Sequence, residues 1–311
     1  MKRNRPRLGI GILCRLLGKT RHAYYDHIWR KDNTVVKEDI VLQLVHELRS
    51  SLPRLGTRKL HHLLGPLLKE HDITIGRDYL FDLLQDHKLL IRQRRRKVIT
   101  TNSRHWMRKY SNLVRDLKIT RPEQVWVSDI TYIRMANQWG YLSLITDACS
   151  RRIMGWSFRQ DMEAQGCIDA LEMALKNRIY NKSLIHHSDR GSQYCSKNYV
   201  GMLIKNNVAI SMTENGDPYE NALAERMNGI IKAEFNLYNS QAGFEQTKLL
   251  IQKSINAYNQ LRPHGSCNNL TPDQAHLRKE QLPKRWKNYR KNIKFDKTAC
   301  IASSGLTNTA V

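Results

Sequence analysis

The chain has 311 residues, 41% of them apolar, enough for one large domain or two to three ordinary ones, each with a packed core. Its 52 lysines and arginines against 28 aspartates and glutamates give a formal charge of +24, which points to a polyanionic partner, nucleic acid first. Six cysteines without a C-x-x-C pair argue against zinc ribbons or knuckles and fit a reducing compartment, and no apolar run approaches the roughly 18 residues of a membrane span.

The charge is unevenly placed. Residues 1–121 hold 28 basic and 11 acidic side chains, residues 122–277 hold 15 of each, and residues 278–311 hold 9 and 2. A neutral middle between basic ends implies binding modules around a domain with another task. The N-terminal "LGIGILCRLLG" is broken by Arg15 and lacks a small-residue cleavage site, so it does not read as a signal peptide. The chain is expected to be cytosolic.

Residues 8–30 read as two short helices. Ile12, Leu13, Leu16 and Leu17 form a stripe, Gly18 ends the first helix, and Thr20 caps a second that carries Tyr24, Tyr25 and Ile28. Residues 55–90 repeat the theme with "GTRKLHHLLGPLLKE" and "RDYLFDLLQDHKLL". Both stretches fit helix-turn-helix modules, placed at 1–45 and 46–105. The basic run Arg92, Arg94, Arg95, Arg96 and Lys97 that follows suits contact with a phosphate backbone.

Near residue 122 the period changes to two. "VWVSDITYIRM" is largely apolar on both faces, as in a central strand covered on both sides. "YLSLITDA" and "RRIMGWSF" follow closely enough for an antiparallel meander. Next come a helix at "EAQGCIDALEMALKNRI", a strand at "SLIHHSD", a helix at "SKNYVGMLIKN", a strand at "VAISM" and the long helix "PYENALAERMNGIIKAEF". The order β-β-β-α-β-α-β-α predicts an α/β core over 122–277, a mixed five-stranded sheet flanked by helices, with a further helix near 244–261 and a basic tail at 278–311. Trp126, Trp139 and Trp156 are expected in its core.

An acidic residue inside an apolar strand is expensive unless it is paired or bound to metal. Asp129 is one, and Asp189, at the end of the fourth strand, is another. Paired strands would bring the two together, and like charges at neutral pH demand a cation; oxygen ligands suit Mg²⁺ or Mn²⁺. The long helix offers Glu220, Glu225 and Glu234 as a third carboxylate. Glu220 fits a capping box begun by Asp217 and Pro218. Glu225 tops a polar stripe with Asn221, Asn228 and Lys232, whereas Glu234 falls near the apolar side. Asp147, just before "ACSRR", reads as a turn-stabilising residue. In "HHSDRGSQY", His186 reads as packing, His187 as a neighbour of the metal or of DNA, and Gly191 as the residue that lets the chain turn away.

"WVSDITYI", "DACSRRIMGW", "HHSDRGSQY", "ENALAERMNGIIKAE" and "YNQLRPHG" occur in that order. Together they resemble a bacterial insertion-sequence transposase, the second-frame product of elements with two overlapping reading frames, within the retroviral-integrase-like DDE superfamily. The resemblance covers about residues 122–275 and implies a ribonuclease H-like core with Asp129, Asp189 and Glu225 as the catalytic, metal-holding triad. The 35 residues between Asp189 and Glu225 match the superfamily spacing. "GSCNNL" at 265–270 and the basic tail depart from the pattern, and the His-His-Cys-Cys zinc module of retroviral integrases is missing. The resemblance further implies two Mg²⁺ or Mn²⁺ ions per site, cleavage at the element's terminal inverted repeats, and transfer of the freed 3′-OH to target DNA. It also implies a homo-oligomer on double-stranded DNA and an upstream-frame helix-turn-helix or zipper partner. Lys232 is the best candidate for terminal phosphates, followed by Asn228 and Arg190. A DNA-binding regulator without catalysis and a plain Mg²⁺-dependent nuclease are the alternatives.

Overall fold

The computed structural model describes residues 9–91, 106–136, 138–214, 221–238 and 240–278. The basic run Arg92 to Lys97, the expected cap from Asp217 to Glu220 and the tail after Arg278 lie outside the described residues.

Helix α1 (Ile10–Leu16) ends at Gly18, whose φ of 62° is the left-handed conformation that glycine adopts without steric penalty. Thr20 then caps α2 by accepting from the Ala23 amide at 3.0 Å. Helix α2 (Arg21–Ser51) does not stop near residue 30, as expected from its sequence, but runs for 31 residues, about 46 Å. No glycine or proline falls between Arg21 and Leu52, so nothing in the chain breaks it before Pro53. The boundary expected at 45/46 therefore falls inside a helix. Helices α3 (Thr57–Lys69) and α4 (Arg77–Asp86) follow as the second module predicts.

Five strands come next: β1 (Val125–Arg134), β2 (Trp139–Asp147), β3 (Ile153–Arg159), β4 (Leu184–Ser188) and β5 (Val208–Met212). They form one mixed sheet in the order β3-β2-β1-β4-β5, with β1 antiparallel to β2 and parallel to β4. Helices α5 (Ala164–Lys176) and α6 (Lys197–Lys205) cover one face. Trp126, Ile145 and Met154 bury there with Leu171 and Tyr199. Helices α7 (Ala222–Glu234) and α8 (Phe244–Gln260) cover the other, where Ile133, Leu142 and Phe158 meet Met227, Ile231 and Tyr258. Gly155 allows β3 to lie close against α5: a Cβ there would stand 2.0 Å from the Ala170 carbonyl oxygen. Trp126 is fully buried and Trp156 partly so. Trp139 departs from expectation at 53% exposed, because it starts β2 at the tip of the hairpin, beyond the reach of either helical layer.

The segment "GSCNNL" forms a tight 3-10 turn (Gly265–Cys267) in which Asn268 and Asn269 take left-handed backbone angles. It returns the chain to α9 (Pro272–Leu277), capped by Thr271 and Gln274. His276 on α9 is fully buried, bonding Ser150 Oγ at 2.9 Å and Glu123 Oε1 at 3.1 Å. Asp147 accepts from the Glu123, Cys149 and Ser150 amides, which confirms its turn-holding role.

The apolar cluster of α2, α3 and α4 continues without a break into α7 and α8. Glu234, at the end of α7, makes the polar joint. It accepts from Arg262 Nε and NH2 at 2.6 Å each and from Lys59 of α3 at 3.1 Å, while its carbonyl oxygen accepts from the Arg54 amide. Arg262 is only 3% exposed at its side chain, so it depends on that carboxylate. Glu234→Gln should cost about 3–5 kcal/mol in denaturant unfolding by leaving a buried guanidinium uncompensated. Lys59→Met, which removes a more exposed partner, should cost about 1 kcal/mol or less.

Candidate active site

The parallel pairing of β1 with β4 sets Val125 beside Ile185, Trp126 beside His186 and Val127 beside His187. Continued two residues, that register puts Asp129 level with Asp189. Asp189 lies immediately past the end of β4, where ligand sites collect in open α/β sheets. The turn beyond is held by the Gly191 amide, which donates to Asp189 Oδ1 at 3.0 Å. A Cβ at Gly191 would stand 3.1 Å from the same oxygen, so a side chain there crowds the carboxylate.

Helix α7 presents its polar stripe to β1 rather than to bulk water. Asn221 Nδ2 donates to the Ser128 carbonyl oxygen at 3.1 Å, and Asn228 Nδ2 donates to Asp129 Oδ2 at 2.9 Å. The two amides staple the helix on either side of Glu225, which sits exposed in its first turn. The Ile130 amide holds the other oxygen of Asp129 at 2.9 Å. Asn228 is 4% exposed, so the DNA contact expected of it gives way to a grip on Asp129. Asn221, placed in the polar stripe but given no role of its own from sequence, holds the backbone one residue earlier, at Ser128. The i, i+7 spacing of the two asparagines around Glu225 was the signal available for both.

The electrostatics join the three carboxylates into one unit. Burial, then Asp189, with a smaller push from Glu225, raise Asp129 from 3.8 to about 7, although Asn228 and the Ile130 amide pull the other way. Lys232, two turns along the stripe, is lowered by its own burial and partly restored by the charge of Asp129. Its Nζ stands 5.7 Å from the centre of the Tyr238 ring. Arg190 is partly buried beside Asp189.

His187 is fully buried and bonds Ser211 Oγ at 2.9 Å, so it supports the strand and faces no DNA. His186, on the opposite face, has Nε2 at 2.8 Å from both Ser128 Oγ and Tyr199 OH. Burial lowers it to about 3, so it stays neutral.

This donor set suits a hard divalent cation, since carboxylate oxygens repel one another until a positive charge sits among them. Two buried amide oxygens nearby, Asn221 Oδ1 and Asn228 Oδ1, have no hydrogen-bond partner among the described residues. Water held by a hydrated cation is a donor of the kind they lack. No three ligating side chains among the described residues enclose a metal by themselves.

Because the folded-state value of Asp129 is raised, its contribution to stability is fully present below 3.8 and is lost as pH rises to about 7. Without divalent metal, the melting temperature of the wild type should fall relative to Asp129→Asn between about pH 4 and about pH 7 in thermal scans. Asn228→Ala should weaken divalent-cation binding by about 10- to 100-fold in calorimetric titration.

A mixed five-stranded sheet with an aspartate in its central strand, a second past the neighbouring parallel strand and a glutamate on a helix across that face defines a ribonuclease H-like polynucleotidyl transferase core. Integrase core domain families match residues 119–218 and 206–272. Over 264 residues the chain is 31% identical to the insertion element IS600 uncharacterized 31 kDa protein of Shigella sonnei, covering 84% of this chain and 96% of that protein. It is 37% identical over 163 residues to transposase InsF for insertion sequence IS3A of Escherichia coli (strain K12), covering 52% of this chain and 57% of InsF. Among solved structures, it is similar to the HTLV-2 integrase catalytic core domain in complex with magnesium, at 22% identity and a TM-score of 0.41, with 50% of this chain and 97% of that one covered. The chain belongs to the bacterial insertion-sequence transposases of the retroviral-integrase-like superfamily, DDE-type polynucleotidyl transferases.

Proposed function

We propose that Asp129, Asp189 and Glu225 hold two divalent cations, Mg²⁺ or Mn²⁺, and that the chain uses this site to cut DNA at the ends of its element and join the freed 3′-OH to target DNA. The observation that carries this reading is the register of β1 and β4, which sets Asp129 level with Asp189 while Asn221 and Asn228 hold the helix of Glu225 against β1. When bound, the cations supply Lewis acidity to the nucleophilic and leaving oxygens.

The chain's own residues fix where that chemistry happens. Asn228 and the Ile130 amide lock both oxygens of Asp129, and the Gly191 amide orients Asp189. Lys232, held against Tyr238 near Asp129, takes a terminal phosphate. Hydrolysis breaks one phosphodiester and leaves a 3′-OH. In the joining step that hydroxyl attacks a second phosphodiester while the original 3′-oxygen leaves, so one ester forms as one breaks and no energy cofactor is needed. The helical region before residue 91, with Arg92, Arg94, Arg95, Arg96 and Lys97, grips the terminal inverted repeats, and Arg190 and the tail add backbone contacts. Two DNA ends must be held together, so the chain acts as a homo-oligomer, joined by an upstream-frame partner. No helix among the described residues is long and apolar enough to cross a membrane, which accords with work in the cytoplasm at the nucleoid.

The test mixes the full chain with Mg²⁺ and labelled DNA ending in the element's inverted repeat. Joined strands are expected from the wild type. Asp189→Asn should lose all cleavage and joining and keep DNA binding within about twofold. Cleavage that survives in Asp189→Asn would remove that residue from the site.

A further inference from the structure

Residues 106–114 run across the open edge of β5, outside the carboxylate site. The edge is held at several points. The Met212 amide donates to the Ser111 carbonyl oxygen at 3.4 Å, the Leu113 amide to Ser211 Oγ at 2.9 Å, and the Asn112 amide to Glu214 Oε1 at 3.0 Å. Met107 and Tyr110 pack into the apolar cluster that contains Tyr194, Cys195 and Met212. Ser211 Oγ, which accepts from Leu113, also bonds His187 two residues before Asp189. The strap is thus tied to the strand that delivers the second carboxylate.

Trp106 is the most exposed large apolar residue of this anchored strap. Trp106 is 88% exposed, while Met107 beside it is tucked in. A free indole on a fixed segment leaves a large apolar surface in water that the fold has no need to leave there. Its neighbours are cationic: Arg108 lies over the Tyr110 ring at 5.2 Å, and Lys109 is exposed. The acidic group on this edge, Glu214, is paired with Arg115. An aromatic face with cations on one side matches a nucleic-acid strand whose bases are unstacked, and base-on-indole stacking is tolerant of sequence.

We propose that Trp106 stacks on an unpaired base of DNA lying along the β5 edge, with Lys109 taking an adjacent phosphate. This rests on the DNA-joining reading above and adds to it a preference for DNA that carries an unpaired strand. Paired bases offer no free face for the indole, so an intact duplex gains only the phosphate contacts.

The test uses the full chain, Ca²⁺ to hold the site without turnover, and two non-specific DNA probes: a blunt duplex and the same duplex with an unpaired overhang carrying 2-aminopurine. The wild type should bind the overhang about tenfold more tightly and quench its fluorescence. Trp106→Ala should bind both probes with the blunt-duplex affinity and lose the quenching. Trp106→Phe should restore most of both, and Lys109→Ala should weaken both probes. Retained blunt-duplex binding shows that the Trp106 variants are folded, and an unchanged melting temperature shows it for Lys109→Ala. Equal overhang preference and quenching in Trp106→Ala and wild type would overturn the proposal. So would a loss of self-association in Trp106→Ala with DNA binding unchanged, which would assign the indole to a second copy of the chain. Failure here is separable from failure of the active-site reading. Asp189→Asn should keep the overhang preference while losing cleavage, so the two claims fall on different variants.

Discussion

The structure depends on a carboxylate that folding places where it resists being charged. Asp129 sits in the central strand of the sheet, and its ionisation is opposed by burial, by Asp189 and by Glu225. An apolar residue at this position would make a more stable strand. The fold instead surrounds the position with the means to aim it: an asparagine on one oxygen, a backbone amide on the other, and a helix stapled above. The strain is resolved when positive charge arrives, so the unloaded site is prepared for a cation and is less comfortable at neutral pH than in acid.

Much of this was legible in the chain because it is written as local violation of pattern. Asp129 interrupts an apolar alternation, and Asp189 ends a strand before a glycine turn. The polar stripe Asn221-Glu225-Asn228-Lys232 on an otherwise apolar helix marked the face turned to the sheet. The capping at Thr20, the turn at Asp147 and the antiparallel meander of the first three strands followed from near-neighbour chemistry in the same way. Other features required partners distant in sequence. Asn228 reads as a polar surface residue until its partner 99 positions earlier is known. His187 is expected beside the metal or DNA, and its bond through Nδ1 to Ser211 on β5 shows only in the folded sheet. The length of α2 is set by distant packing: with no glycine or proline to enforce a break, its later turns pack against α3 and the helix keeps running.

The least legible feature was the joint between the helical region and the catalytic layer. Charge distribution suggested separate modules, yet one apolar cluster passes through both, and Glu234 binds α3 and the segment after α8 to the end of α7. Glu234 was considered as a third metal ligand, and its actual work is to satisfy Lys59 and the buried Arg262. Glu225 and Glu234 share one helix and divide its roles, one carboxylate facing the site and the other holding the helix. A displacement of the helical region by bound DNA would therefore be felt at the helix that carries Glu225.

The account's central claim is that the three carboxylates act as one electrostatic unit completed by a cation. Calorimetric titration of the wild type with Mg²⁺ near pH 7, repeated in two buffers of different ionisation enthalpy, tests it most directly. If Asp129 titrates at about 7 in the unloaded site, cation binding must expel roughly half a proton per site there, and that release must vanish in Asp129→Asn. Binding of Mg²⁺ with no proton release, or release unchanged in Asp129→Asn, would contradict the account.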